Sequence, residues 1–231
     1  MKNNKFIILF ALLAIVITMN NCTKDSEGVS KVTTYAVLTM KGSTDTVIAT
    51  GTTWTDPGII VSTGDPYTIS GTVTTGTPGR YPLVYNAKNV DGFASQITRV
   101  VWVVGVTGSA TSHFEGTYTG GRGTLYSRDI GDGSVTLKKT SIPGVYYCTD
   151  MFARFYEVYR GYGTDYRCPG IIRVNADSTI DNASINFPSP WAGTFIIAGT
   201  GTVNSLGKFS YRIGFTDGTS IASPFFLEWN P

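Results

Sequence analysis

The chain reads as all-β: a β-sandwich followed by a second antiparallel β domain, barrel-like or sandwich, with one short helix or flap. Three observations predict this. Charged residues make up only 15% of the chain, while glycine reaches 27 residues and tyrosine 13, the composition of turn-rich sheet. Short runs rich in Val, Ile, Thr and aromatic residues recur between Gly-, Pro- and Asp-containing turns at spacings of about 8–12 residues, the signature of strands in a sandwich or barrel. Behind the N-terminal leader, hardly any stretch carries a helical period.

The leader comes first. Met1–Lys5 holds two lysines and no acid, and Phe6–Val16 is an unbroken apolar run. These are the charged and apolar regions of an export signal, and a dozen apolar residues fall short of the roughly 20 that span a bilayer. The run closes on Ile15-Val-Ile-Thr-Met-Asn-Asn-Cys22, which resembles the lipobox of bacterial lipoproteins, with Met19 standing where leucine is usual. The resemblance implies cleavage after residue 21 and acylation of the Cys22 thiol. The alternative is an ordinary secreted chain with Cys22 near its cleavage site. Lys24-Asp-Ser-Glu27 is similar to the short acidic tag of Bacteroidetes lipoproteins, and implies attachment to the outer face of the outer membrane. Several acyl chains on one residue anchor stably, since each buried methylene contributes about 0.8 kcal/mol.

Removing residues 1–21 leaves 210 residues, enough for two small domains or one large one, and 16 basic residues against 16 acidic. A neutral chain with one histidine lacks the electrostatic footprint of a nucleic-acid binder. Cys148 and Cys168 remain after Cys22. On an oxidising side of the membrane they form either a disulfide, closing a loop of about 20 residues and contributing roughly 3 kcal/mol, or two separately buried thiols.

After a polar linker at 22–30, the first β region spans 31–105. Val32–Met40 and Thr46–Ala49 open it, and Tyr81–Tyr85 and Ile97–Val104 are its longest strands. Leu83 and Tyr85 share one strand face and Val84 takes the other. Asp56-Pro57-Gly58 is a tight turn. Thr53-Trp-Thr-Asp-Pro-Gly58, Gly79-Arg-Tyr-Pro-Leu-Val-Tyr-Asn-Ala-Lys-Asn-Val-Asp-Gly92 and Arg99-Val-Val-Trp-Val103 together resemble the bacterial Ig-like domain of surface proteins. That resemblance implies a spacer or docking module without chemistry of its own.

A small, polar linker at 106–112 leads to the second β region, 113–231. Its expected strands lie at 114–119, 133–139, 144–149, 170–174, 179–187, 193–203, 208–215 and 225–229. Between the third and fourth sits the richest aromatic stretch, 150–168. Phe152, Phe155, Tyr156 and Tyr159 have the spacing of one helical face, with Asp150 placed to cap its start and Gly161 its end. The region, with Tyr147-Cys-Thr-Asp150, Gly161-Tyr-Gly163, Pro169-Gly170 and Asn175-Ala-Asp-Ser-Thr-Ile180, resembles a Bacteroidetes domain of unknown function. That domain is found behind the same Ig-like module in lipoproteins encoded beside Sus-type outer-membrane transporters.

The residues offer little catalytic chemistry. His113 lies beside the interdomain linker and the chain has no Gly-x-Ser-x-Gly elbow. Two cysteines and one distant histidine do not make a zinc site, and neither a metal nor an organic cofactor is expected. Asp150, Glu157 and Asp165 are the acids from which a glycosidase pair would be drawn, yet Arg154, Arg160 and Arg167 are placed to bind them. Aromatic rings are the remaining lead, because sugar faces and peptide side chains stack on them with little entropy loss. Tyr156, Tyr159, Tyr162, Tyr166 and Trp191 are the candidate ligand contacts, while Phe152 and Phe155 read as core. The expectation is a non-enzymatic binding accessory of a Sus-type uptake system with a glycan ligand. A peptide ligand, or a structural subunit that contacts only the SusC/SusD-like transporter proteins, is the alternative.

Overall fold

The computed structural model of the chain describes residues 33–105, 107–108, 113–122, 134–183, 187–188, 196–216 and 221–231. In the first β region, β1 (Leu38–Met40) pairs antiparallel with β3 (Ile59–Val61) in a two-stranded sheet. Opposite it lies a four-stranded sheet of β2 (Asp45–Ala49), β6 (Ala94–Val104), β5 (Gly79–Lys88) and β4 (Tyr67–Ser70), in that spatial order. Strand β2 runs parallel to β6 and the other two neighbours are antiparallel. Alternation places Leu83, Tyr85 and Ala87 of β5 inside, facing Ile59, Leu38 and Met40 of the small sheet. This is the expected sandwich.

The alternation fails at the end of β6, where Val101, Trp102, Val103 and Val104 are all buried. Val101 and Val103 fill the sandwich. Trp102 and Val104, on the opposite face, belong instead to the core cluster of the second domain. An apolar run without alternation marks a strand covered on both faces.

The second domain is a closed eight-stranded antiparallel barrel. Strands β7 (Gly116–Arg122), β8 (Ser134–Lys139), β9 (Val145–Cys148), β10 (Gly170–Val174) and β11 (Thr179–Asp181) follow one another around the wall. Strand β11 pairs with β13 (Ile196–Val203), which leads through β14 (Phe209–Thr216) to β15 (Ile221–Asn230). Strand β15 then closes on β7, with Trp229 opposite Gly120. The strand expected over 179–187 is divided: β11 meets Thr200–Thr202 of β13, and the short β12 (Phe187–Pro188) meets Ile196–Ile197 further along the same edge. Among the described residues each of these eight strands is paired on both sides, which distinguishes a barrel from a second sandwich.

Interior positions follow from the register. Tyr118, Val135, Leu137, Tyr146, Cys148, Ile172, Val174, Ile180, Phe209, Tyr211, Ile213 and Trp229 are all buried. Large rings fit because glycines face them: a Cβ on Gly120 would stand 2.3 Å from Trp229 Cδ1, and one on Gly199 2.5 Å from the Tyr211 hydroxyl. Residues Ala36–Pro231, and so both β regions, form one compact unit; of the N-terminal unit, Met1–Tyr35, only 33–35 are described.

Candidate functional site

The segment between β9 and β10 rises where β9 ends and β10 begins, and it is an irregular flap. Asp150 Oδ1 accepts the Phe152 amide at 2.8 Å, as a capping residue would. Ala153 and Arg154 then adopt left-handed backbone, φ 51° and 58°, which no helix tolerates. The helical character reduces to one π turn, Phe155–Tyr159, and one 3-10 turn, Thr164–Tyr166. The four-ring helical face is therefore replaced by a folded aromatic cluster. Phe152 packs edge-on against Tyr156 at 5.3 Å between centroids, Phe155 stacks on Tyr159 at 5.2 Å, and Tyr156 stacks on Tyr162 at 6.3 Å. Tyr162 in turn meets Tyr166 edge-on at 5.1 Å.

Phe152 and Phe155 are buried with Met151 in the barrel-domain core. Tyr156 and Tyr166 are half-buried, whereas Tyr159 and Tyr162 expose 46% and 50% of their surface. The flap thus brings four of the five candidate aromatics into one patch; Trp191 and the acylation residue Cys22 lie outside the described residues.

Two carboxylates hold the flap. Glu157, 5% exposed at its side chain, takes Arg154 Nε at 3.0 Å and Arg167 Nε at 3.0 Å, with a second Arg167 nitrogen on its other oxygen. The Arg167 hydrogen bonds, followed by those from Arg154, hold its pKa below the usual carboxylate value against the effect of burial. Asp150 is shifted the other way, up to about 6, because burial outweighs the backbone amides that donate to it. Both acids thus tie the flap together, Asp150 through backbone amides and Glu157 through two arginines. Asp165 is exposed.

Cys148 and Cys168 are buried free thiols, and burial pushes both pKa values up. Cys148 stands opposite Gly170, and Cys168 lies two residues before it, outside β10. His113 is exposed, with Nδ1 3.8 Å from Glu115 Oε2.

A second constellation, at the seam between the domains, escaped the sequence reading. Trp102 meets Tyr147 of β9 edge-on at 6.5 Å and donates Nε1–H to Asp45 at 3.3 Å. Arg80 lies over the Trp102 ring and Lys138 over the Tyr147 ring, at 5.7 and 5.9 Å. Burial, then the adjacent Asp45 carboxylate, pushes the Tyr147 hydroxyl up. The one signal for this seam was the run of apolar residues from Val100 to Val104, too continuous for a strand with a wet face.

Comparison with known proteins gives these features a family. A profile for the BT2262-like C-terminal domain matches residues 107–224, just over half of the chain. The chain belongs to this family. A second profile, for the Ig-like domain of bacterial surface proteins, matches residues 38–103. Among solved structures, the crystal structure of the lipoprotein BT2262 from Bacteroides thetaiotaomicron is similar. It is 26% identical with a TM-score of 0.50, and the match covers 85% of this chain and all of that one. No curated protein matches. The BT2262-like domain is thus the barrel with its aromatic flap, and the Ig-like domain is the sandwich packed against it.

Proposed function

We propose that this BT2262-like chain is a lipid-anchored surface protein that binds glycan on the tyrosines of its barrel flap. It serves as a non-enzymatic accessory of a Sus-type uptake system at the outer membrane. Similarity to a lipoprotein and to an Ig-like domain of surface proteins supports the location, as does the export signal ending at Cys22. The observation that carries the ligand reading is the patch itself. Tyr159 and Tyr162 are open to solvent, and Tyr156 and Tyr166 back them on a flap fixed by the Glu157 clamp. Rings held in place lose little entropy on stacking against a sugar face.

Calorimetry of the purified chain against a panel of neutral oligosaccharides tests the reading. Tyr162→Ala and Tyr159→Ala should each weaken binding about 3- to 10-fold, the value of one aromatic contact. Absence of binding to every glycan, together with tight co-purification with a transporter, would replace it with the structural-subunit reading. A preference for oligopeptides would change the ligand and keep the patch. Cys22→Ala should release the protein from the membrane fraction; retention there would count against the anchor.

A further inference from the structure

The seam between the domains opens on one side into a cleft of about 310 Å³, lined by Thr44, Asp45 and Thr46 of the sandwich and by Lys138, Lys139 and Tyr147 of the barrel. We propose that this cleft is a second binding site, distinct from the flap, and that it takes a short saccharide carrying an anionic group. Three observations converge on that chemistry.

The first is charge. Lys138 and Lys139 are exposed and, among the described residues, neither has a carboxylate partner. Asp45 lines the cleft with them, and it is already engaged by Trp102 Nε1 and the Tyr147 hydroxyl, with Arg80 in electrostatic reach. Apart from the contact of Lys138 with the Tyr147 ring, the two ammonium groups are therefore open to an anion.

The second is hydrogen-bonding surface. Strand β2 is the outermost strand of its sheet, paired on one side only. An edge of this kind presents unpaired backbone donors and acceptors. Residues 43–47, which include the first part of this edge strand and the hydroxyl-bearing Thr44 and Thr46, line the cleft, a surface suited to a ligand rich in hydroxyls.

The third is size. The volume is at the small end of the range for ligand pockets, about 300–1,000 Å³. It accommodates one or two sugar rings and is short of a peptide strand laid along all of β2. Clefts shared by two packed domains are favoured ligand positions, and the Trp102–Tyr147 contact joins the two domains beside this one. The choice of a saccharide over other small anions rests on the surface-glycan reading above; the site itself does not.

Calorimetry on the whole chain in detergent, at low and raised salt, tests the proposal. The probes are digalacturonate, a sulfated disaccharide, a neutral disaccharide and a tetraglutamate peptide. At least one of the two acidic sugars should bind at least ten-fold more tightly than the neutral one and weaken as salt is raised; the tighter of the two identifies the anionic group. The double variant Lys138→Gln/Lys139→Gln should lower that affinity at least ten-fold, while Lys208→Gln, a lysine paired with Glu228 and outside the cleft, leaves it unchanged. The proposal is overturned if neither acidic sugar binds, if the double variant binds as the parent does, or if the peptide binds better. Loss of acidic-sugar binding in Tyr162→Ala alone would also overturn it, by assigning that binding to the flap.

Discussion

At the scale of single residues, the three sequence blocks that resemble the Ig-like family meet around one buried guanidinium. Arg99, fully buried, donates to the Lys41, Ser43 and Gly58 carbonyls and to the Tyr85 hydroxyl, and pairs with Asp56 at 3.3 Å. Asp56 also accepts from Tyr85 Oη at 2.6 Å and from the Gly58 amide at 3.1 Å. The Trp-x-Asp-Pro-Gly turn, the tyrosine of β5 and the arginine of β6 are thus one polar knot joining both sheets. That they recur together was legible in the sequence; that they touch was not, because Asp56 and Arg99 are far apart along the chain. Arg99→Met should strand Asp56 and several carbonyls and cost about 3–5 kcal/mol, read as a fall in the denaturation midpoint. Asp150 gives a prediction of the opposite kind. Its pKa is raised in the fold, so its contribution to stability is full at acid pH and is lost as pH rises through about 6. Asp150→Asn, whose amide oxygen still accepts from Phe152, should flatten this dependence. Relative to the parent it should gain about 2–3 kcal/mol between pH 4 and pH 8, measured by urea denaturation across that range.

The flap and the barrel strands belong to the scale of elements. Glu157 opposes Asp150: its lowered pKa means that its contribution is present above the ordinary carboxylate value and is lost as pH falls toward the folded one. Glu157→Gln should loosen the flap by about 2 kcal/mol and speed amide exchange over 154–167, leaving exchange in β13 and β14 unchanged. The aromatic spacing left a short helix and a flap both open, and the flap is what forms, with only single helical turns in it. Periodicity records which side chains are apolar and says nothing about Ala153 and Arg154 turning left-handed between them. The wall carries its own constraint at Gly201, where a Cβ would stand 2.1 Å from the Ser210 carbonyl oxygen of β14. Gly201→Ala should therefore force the β13–β14 ladder apart and lower stability by at least the roughly 1–3 kcal/mol of an overpacked core, visible in thermal unfolding. Strand positions were readable from β-branched runs and turn dipeptides. Barrel closure was not, since nothing local in Gly116–Arg122 or Ile221–Asn230 says that the two strands pair.

At the scale of the whole molecule, the sandwich and the barrel act as one body because β6 is shared between two cores. Trp102→Ala removes the ring that bridges them and should cost about 3–5 kcal/mol. It should also split a single calorimetric transition into two, one for each domain. Survival of one cooperative transition would show that the remaining seam contacts suffice. The composition of residues 106–112 reads as a linker, and Gly108 shows how closely the chain passes the barrel there: an added Cβ would come within 2.6 Å of the Gly144 and Val174 carbonyl oxygens. The pairing of β15 with β7 reaches back about a hundred residues, and contacts of such long range form late because the intervening chain must be ordered first. Every other neighbour in the wall is a local hairpin or a short crossing, assembled as synthesis proceeds. A chain deprived of Ile221–Asn230 therefore keeps seven strands of the wall and bares two facing edges, β7 and β14, each a template on which a stray strand can add.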